Sequence, residues 1–576
     1  MTYLPKGHTM KVPIYMLFLL LGLYAHLGAT DLIDRPTKGR QYETLRFRFV
    51  ENLKFENPCD LETNHVELLI QQPDFSRRVL SFFYDGPSKD GAEQWEARFT
   101  PKQAGLHRLT FRVNGKVQSQ FELPVEPNKG RKQGGLRVSE RLGVFEYESG
   151  EAFRGIGLNV CWAQDYEYYF KKMQAAGMNV TRIWMCPWHL SFEWQETGLG
   201  RYNLASARRL DTILQLADKY GIFVILCLDY HGVARKGMGY FRENRWPVSP
   251  YNKTNGGPCA EASELFTNAV AKEFFKKKYK YIVSRFGHSS RIAAWEFYNE
   301  TDLMAGNSIA ENRWHIEMAE YVHSIDVHKR LVTTSSTRSF PEKVVDAFKS
   351  PAMDFVMFHE YNKLDMAPYV IDLHEATIEY YQKPVVLGEF GVEYRGADRT
   401  MKIDSQHVGL HNGIWAGWFS ETPVIPLSWW WDNYIDPHNL WHEYANLSRF
   451  AASMDFNVKH LAFKTLPAGY LQTNPQHQAL CVVRCIYSGE DCALWFKNEE
   501  YQWSLVSEGK EPKEIGAFTQ VVPDLVPGRY SVAWYDPQTG KFFGKTTEVE
   551  VKEDGVLSLL VPSFSKDLSC LLTRQR

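Results

Sequence analysis

Beyond its N-terminal segment the chain has no long apolar run, so nothing later in it reads as a membrane-spanning helix. It has no excess charge of either sign: 66 Lys and Arg stand against 68 Asp and Glu, a net charge of −2. Such neutrality argues against nucleic acid or an anionic membrane as the main partner. The nine cysteines show no zinc-ligand spacing, and their odd number leaves at least one unpaired. Cys161, Cys186 and Cys227 fall in or beside predicted strands and are expected as buried thiols. Cys481, Cys485 and Cys492 cluster near the C-terminus, where a disulfide is open and its pairing unreadable. No metal and no cofactor is expected.

What is present begins with Lys6 and Lys11, the apolar stretch Val12 to Ala25, and small residues around Gly28-Ala29-Thr30. A basic start, a short apolar centre and small residues predict a signal peptide over 1–29, cleaved near Ala29. The expected location is therefore secreted or periplasmic, with no membrane association after cleavage. No Cys follows the apolar run, which argues against a lipid anchor. Four N-x-S/T sequons occur, at Asn179, Asn252, Asn299 and Asn446. Two of them lie in or at the end of predicted core strands, so they read as accidental and favour a bacterial exported protein. Aromatic residues reach 14%, which suits stacking on sugar faces as well as core filling.

Residues 40–127 alternate in strand fashion, as in Leu45-Arg46-Phe47-Arg48-Phe49-Val50, between Pro, Gly and Asn turns. An immunoglobulin-sized β-sandwich is predicted there. The linker Asn128 to Gly135 follows it. Over 140–458 the rhythm becomes strand, helix, strand, which predicts a (β/α)8 TIM barrel with its site at the C-terminal strand ends. Its eighth strand is expected over Val424 to Asp432. From 465 to 576 strands return, with a hairpin at Asp536 to Gly540, and a second β-sandwich is predicted. The fold class is thus α/β, a barrel flanked by two all-β sandwiches.

Two buried-strand patterns dominate the barrel: Ala293 to Glu300 and Lys383 to Gly391. Each ends in a carboxylate, Glu300 or Glu389, in positions suiting strands four and seven. Paired carboxylates are what glycosidic-bond hydrolysis requires. Asn299-Glu300, Gly388-Glu389-Phe390-Gly391, Arg182, His231 and His359-Glu360-Tyr361 together resemble glycoside hydrolase clan A, nearest the family 5 cellulase and mannanase group. The resemblance covers about 144 to 455.

That resemblance implies a β-linked glycan substrate, Glu300 as general acid/base and Glu389 as nucleophile of a retaining double displacement. It also implies that Arg182 and Tyr361 hold the nucleophile, and that Asn299 meets the sugar 2-hydroxyl. His231 and His359 would orient hydroxyls and the acid/base. Trp431, with Trp430 as second choice, would be the stacking floor. Trp184, Trp188 and His189 are candidates to line subsites, with the loop from Gly232 to Ala262. Glu296 and Glu360 are set aside as catalysts by strand alternation. Two competing readings stand beside this one. A metal-dependent barrel hydrolase would use Asp229, His231, His359 and the glutamates, but Asn159-Val160-Cys161 occupies the place of its usual H-x-H pair. A non-catalytic glycan-binding protein would be expected to have lost a carboxylate.

Overall fold

The computed structural model describes residues 31–575 except 131, 236–243, 455, 457–459 and 470–480. The predicted signal segment, 1–29, lies outside the described residues, as does the stretch 236–243 of the long loop. Among the described residues no helix is long and apolar enough to cross a membrane.

Alternation builds the N-terminal unit. Leu45–Val50 buries every second residue, and it pairs with Glu93–Phe99, which in turn pairs with Phe83–Pro87. A second sheet runs in the order Gly39–Arg40, Lys116–Glu126, Gly105–Val113, Val66–Gln71, Arg77–Ser81. Phe47, Phe49, Val66, Leu68, Ile70, Trp95 and Phe111 from these sheets share one core. The unit is tied to the barrel by charge: Arg98 and Arg285 both reach Asp211, and Arg285 also meets Asp85 at 2.9 Å.

Seven parallel strands of the barrel follow in sequence order. They are β1 (Gly157–Asn159), β2 (Val180–Trp184), β3 (Phe223–Tyr230), β4 (Ile292–Asn299), β5 (Leu331–Thr333, continuing as Ser335–Ser336), β6 (Val356–Tyr361) and β7 (Val385–Gly391). Their pairing is parallel throughout. β8 is shorter than expected. Residues 424–428 close the ring through Ile425 N–H to Gly155 O at 2.9 Å and Leu427 N–H to Leu387 O at 3.0 Å. The chain then leaves the sheet, and Trp431–Ile435 coils as a turn of π-helix. The Asn159 Nδ2 amide faces the carbonyls of Gly388, Leu427 and Ser428 at 3.0–3.1 Å and fastens this seam.

The helices carry the expected punctuation. Asn203 caps Leu204–Tyr220, which stops at Gly221 in the left-handed conformation, φ 71°. Asn268 and Asn307 cap the helices before and after β4. Inside the ring, Val180, Phe223, Ile225, Ala294, Met357, Val386 and Leu427 pack with Phe145 and Phe153. Those two phenylalanines belong to a small antiparallel meander, Leu136–Val138, Phe145–Tyr147 and Ala152–Phe153. Entering at the N-terminal end, it plugs the barrel and leaves the other end for chemistry.

The C-terminal unit has a six-stranded sheet, ordered Leu461–Leu466, Cys481–Ser488, Asp491–Asn498, Asp567–Arg574, Gly528–Asp536, Lys541–Val551. A two-stranded sheet, Phe518–Val522 with Leu557–Val561, faces it. One face of the larger sheet joins the barrel core through Ile486, Trp495 and Leu571. Val483, Leu494 and Leu572 fill a core of its own. All nine cysteines are buried thiols, so the disulfide left open for Cys481, Cys485 and Cys492 is not formed.

Candidate active site

The carboxyl ends of β2, β3, β4, β6 and β7 converge on one constellation. Arg182 lies on β2 with its side chain fully buried. Its Nε and Nη2 each donate to Glu296 at 2.6 Å. Nη1 donates to Glu389 Oε1 at 2.7 Å, and Nη2 to Asn299 Oδ1 at 2.7 Å. The Tyr361 hydroxyl donates to the other oxygen of Glu389 at 2.7 Å. His359 Nδ1 lies between the two carboxylates, 3.0 Å from Glu300 Oε1 and 3.5 Å from Glu389 Oε2. His231, on the turn after β3, is 3.6 Å from Glu300 and 3.3 Å from the Asn299 amide. Glu300 and Glu389 approach one another within 4.8 Å, oxygen to oxygen.

Local backbone irregularities aim these groups. Glu300 takes the left-handed conformation, φ 49°, and its N–H donates to Ser335 Oγ at 3.0 Å. The end of β4 thereby turns out of the sheet and into the barrel mouth. On β7 the register slips opposite His359, leaving Gly388 as the extra residue of a bulge. A Cβ on Gly388 would lie 2.8 Å from Met357 Cγ and Sδ, so the bulge needs glycine there.

Electrostatics separate the two glutamates. Burial raises both above the ordinary carboxylate range. Against burial and the charge of Glu300, Glu389 has the Arg182 guanidinium in direct contact and the Tyr361 hydroxyl. Glu300 is lowered only by the charges of Arg182 and Arg235, while Asp302 pushes it further up. Direct contact with Arg182 and Tyr361 favours the ionised form of Glu389, a support that Glu300 lacks. Burial lowers His359 to about 4 and lowers His231 as well, so both imidazoles are neutral near pH 7.

Of the residues singled out from the sequence, Arg182, His231, Asn299, Glu300, His359, Tyr361 and Glu389 are brought together. Trp188 sits at the rim, 40% exposed, edge-on to Tyr230 at 4.9 Å. Two expectations are corrected. Trp431 is only 2% exposed, because the chain coils before it and turns its ring onto Trp162 at 4.9 Å. It cannot be the stacking floor. Trp430 is half-buried, with its indole N–H donating to Glu393 O at 3.0 Å. Trp429 is half-buried beside Trp184, whose ring lies 5.2 Å from the Arg182 guanidinium. His189 is buried against the Tyr166 hydroxyl, 3.0 Å away, and lines no subsite.

Asp229 does not join His231. It points to the helix layer, where Lys278 donates to it at 2.7 Å. This takes Asp229 out of the ligand set of the metal-dependent reading, while Glu300, His359 and Glu389 stay within 4.8 Å of one another. Glu360 faces Lys363, outside the constellation. Strict strand alternation would set Glu296 apart from the site. Phe297 and Tyr298 both pack on Trp314, so the alternation fails just there, and Glu296 and Asn299 both reach Arg182.

The family described as Cellulase (glycosyl hydrolase family 5) matches residues 147–433. Mannan endo-1,4-beta-mannosidase 5 of Solanum lycopersicum is 26% identical over 330 residues, 48% of this chain and 76% of that protein. Mannan endo-1,4-beta-mannosidase A of Aspergillus aculeatus is 22% identical over 258 residues, 40% of this chain and 65% of that protein. The crystal structure of a putative glycoside hydrolase from Bacteroides vulgatus superposes with a TM-score of 0.65 at 16% identity. It covers 94% of this chain and all of that one, a likeness of fold.

Proposed function

The barrel is a clan A, family 5-like domain of a glycoside hydrolase acting on O-glycosyl bonds, and from that premise we propose a retaining β-glycosidase that works by double displacement. The observation that carries this reading is the 4.8 Å limit on the separation of the Glu300 and Glu389 oxygens. Retaining enzymes hold their carboxyl groups about 5–5.5 Å apart, whereas inverting ones leave about 6.5–9.5 Å for a water.

Glu389, ionised beside Arg182 and Tyr361, attacks the anomeric carbon. Glu300, carrying the proton, gives it to the leaving oxygen and so releases the aglycone. With its proton gone, Glu300 then takes one from the water that cleaves the glycosyl–Glu389 ester. Neutral His231 and His359 neighbour Glu300 and hold its carboxyl in line for both transfers. The Asn299 amide, fixed through its oxygen by Arg182, offers an N–H to the sugar 2-hydroxyl. Trp429 and Trp188 supply apolar faces at the rim.

β-1,4-Mannan is the first substrate to try, since the curated relatives are named for it. We read the two flanking β units as sandwiches that pack on the barrel, and the basic-then-apolar N-terminus as an export signal. The same oxygens and the His359 nitrogen are close enough to hold a cation. Arg182 already supplies positive charge at 2.7 Å from Glu389, so activity is expected to survive a chelator.

The test is a screen of the full chain against mannan, β-glucan, xylan, galactan and aryl β-glycosides, with the first-formed anomer followed by NMR. Initial release of the β-anomer supports the reading. Initial release of the α-anomer would overturn retention, and no turnover on any β-glycan would favour a glycan-binding protein instead.

A further inference from the structure

The C-terminal unit touches the active-site side of the barrel at a particular place. Tyr361, which donates to Glu389, is the last residue of β6, and the next helix begins at Met366. Only the connection 362–365 lies between them. Asn362, in the left-handed conformation at φ 62°, turns the chain there. Asp365 caps the helix by accepting from Ala367 N–H.

Two side chains of the C-terminal unit hold this connection. The Trp503 indole N–H donates to the carbonyl of Lys363 at 2.7 Å. Lys497, whose side chain is fully buried, donates to Asp365 Oδ2 at 2.9 Å. A buried ammonium needs a matched partner, and loss of one member leaves the other charge uncompensated. The Trp503 ring also lies against Gly409 in the helix Val408–Trp418, the second after β7, where a Cβ would come within 3.3 Å. One segment of the C-terminal sheet and its following helical turn thus holds the exit of β6, the strand that carries Tyr361.

We propose that Trp503 and Lys497 are positioning residues for the hydrolytic site: through the Lys363–Asp365 backbone they set the Tyr361 hydroxyl against Glu389. The C-terminal unit is then part of the catalytic apparatus and not only a cover for the barrel. This rests on Glu389 acting as the ionised nucleophile. A hydroxyl donated to a carboxylate favours its charged form, so loosening Tyr361 moves the Glu389 ionisation to higher pH.

The experiment compares Trp503→Phe, Lys497→Met and Tyr361→Phe in the full chain, by pH profile of kcat/KM on an aryl β-glycoside and by Tm. Trp503→Phe keeps a six-membered aromatic ring and removes the five-membered ring that carries the donor, so the Tm reading shows any loss of packing. Expected for Trp503→Phe and Lys497→Met is an acid limb displaced upward by about half a unit or more. A loss in kcat of roughly tenfold to a hundredfold should accompany it, in the direction Tyr361→Phe gives. If Trp503→Phe leaves limb and kcat unchanged while Tyr361→Phe moves them, the positioning role is wrong and the nucleophile assignment stands. A Trp503→Phe protein with lowered Tm and an unmoved limb also overturns it. If Tyr361→Phe moves nothing either, the reading of Glu389 falls first. Should Lys497→Met fail to fold, Trp503→Phe decides alone.

Discussion

Glu296 accepts from two nitrogens of Arg182 at 2.6 Å each, so the guanidinium plane is fixed before it ever meets Glu389. Both side chains are fully buried. The single nitrogen left over, Nη1, is the one that reaches Glu389. Glu296 touches no position a substrate could occupy, yet it sets the angle of the cation that keeps the nucleophile charged.

Glu296→Gln should therefore lower kcat/KM by about a hundredfold, the cost of a misplacement of roughly 1 Å. It should also destabilise the fold by about 3 kcal/mol, because a buried guanidinium loses half its compensation. Steady-state kinetics and urea unfolding of the same preparation would check both. Wild-type kinetics in a folded Glu296→Gln protein would sink the idea.

The two glutamates should fail differently. Glu389→Gln is expected to abolish turnover of every substrate, with glycan binding still measurable. Glu300→Gln should lose most on glycosides with poor leaving groups and least on dinitrophenyl glycosides, which depart without a proton. Equal losses across leaving groups would contradict the acid/base assignment.

Burial raises both carboxylates above their ordinary value of 4.5, which fixes the sign of the pH dependence. Activity should fall on the acid side as Glu389 takes a proton, and on the alkaline side as Glu300 loses one. The bell as a whole should lie above that of free carboxylates. Glu300→Gln should remove the alkaline limb and leave the acid one, a difference readable from kcat/KM against pH.

A second pH effect concerns stability. His411 lies 2.8 Å from Glu443 and 2.9 Å from Asp567, joining two barrel helices to the C-terminal sheet. Those carboxylates lift His411 from 6.5 to about 10, against its burial. A group raised on folding contributes stability in full below its unfolded value, and that contribution fades as pH climbs through the folded value. Glu443 is lowered from 4.5 to about 2 by the same His411 contact despite burial, so its share is lost only on strong acidification. Tm should decline between about pH 6.5 and about pH 10. His411→Gln should start lower and decline less steeply; parallel curves would disprove the linkage.

Gly388→Ala should cost about 1–3 kcal/mol through crowding of Met357. It should lower kcat more than KM, since the bulge sets the direction of Glu389. An active, equally stable variant would show that the register slip at His359 is dispensable.

Much of this was legible in the chain because a closed parallel barrel writes its strands as apolar runs and its chemistry at their ends. Ala293–Glu300 and Lys383–Gly391 carried that signal, and the carboxylates, Arg182 and both histidines meet as their positions imply. What escaped was governed by departures from regular geometry. Period-two alternation assigns Phe297 and Tyr298 to opposite faces, but both pack on the helix layer, and this hid the role of Glu296. The run Trp429-Trp430-Trp431 reads as strand, yet the sheet ends at 428 and a π-turn carries Trp431 into the packing. The hold of Trp503 on Lys363 joins residues 140 positions apart, beyond the reach of any local pattern.

Asn299 also begins the tripeptide Asn-Glu-Thr, and in the folded protein it is only 1% exposed. Oligosaccharyl transfer in a eukaryotic endoplasmic reticulum acts on the nascent chain, before that shelter exists. Secretion from yeast or insect cells would thus offer this asparagine for modification, and a molecule so decorated could not close β4 around Arg182. Bacterial expression, or Thr301→Ala with Glu300 untouched, avoids the damage, and the choice of host becomes a determinant of how much of a preparation is competent.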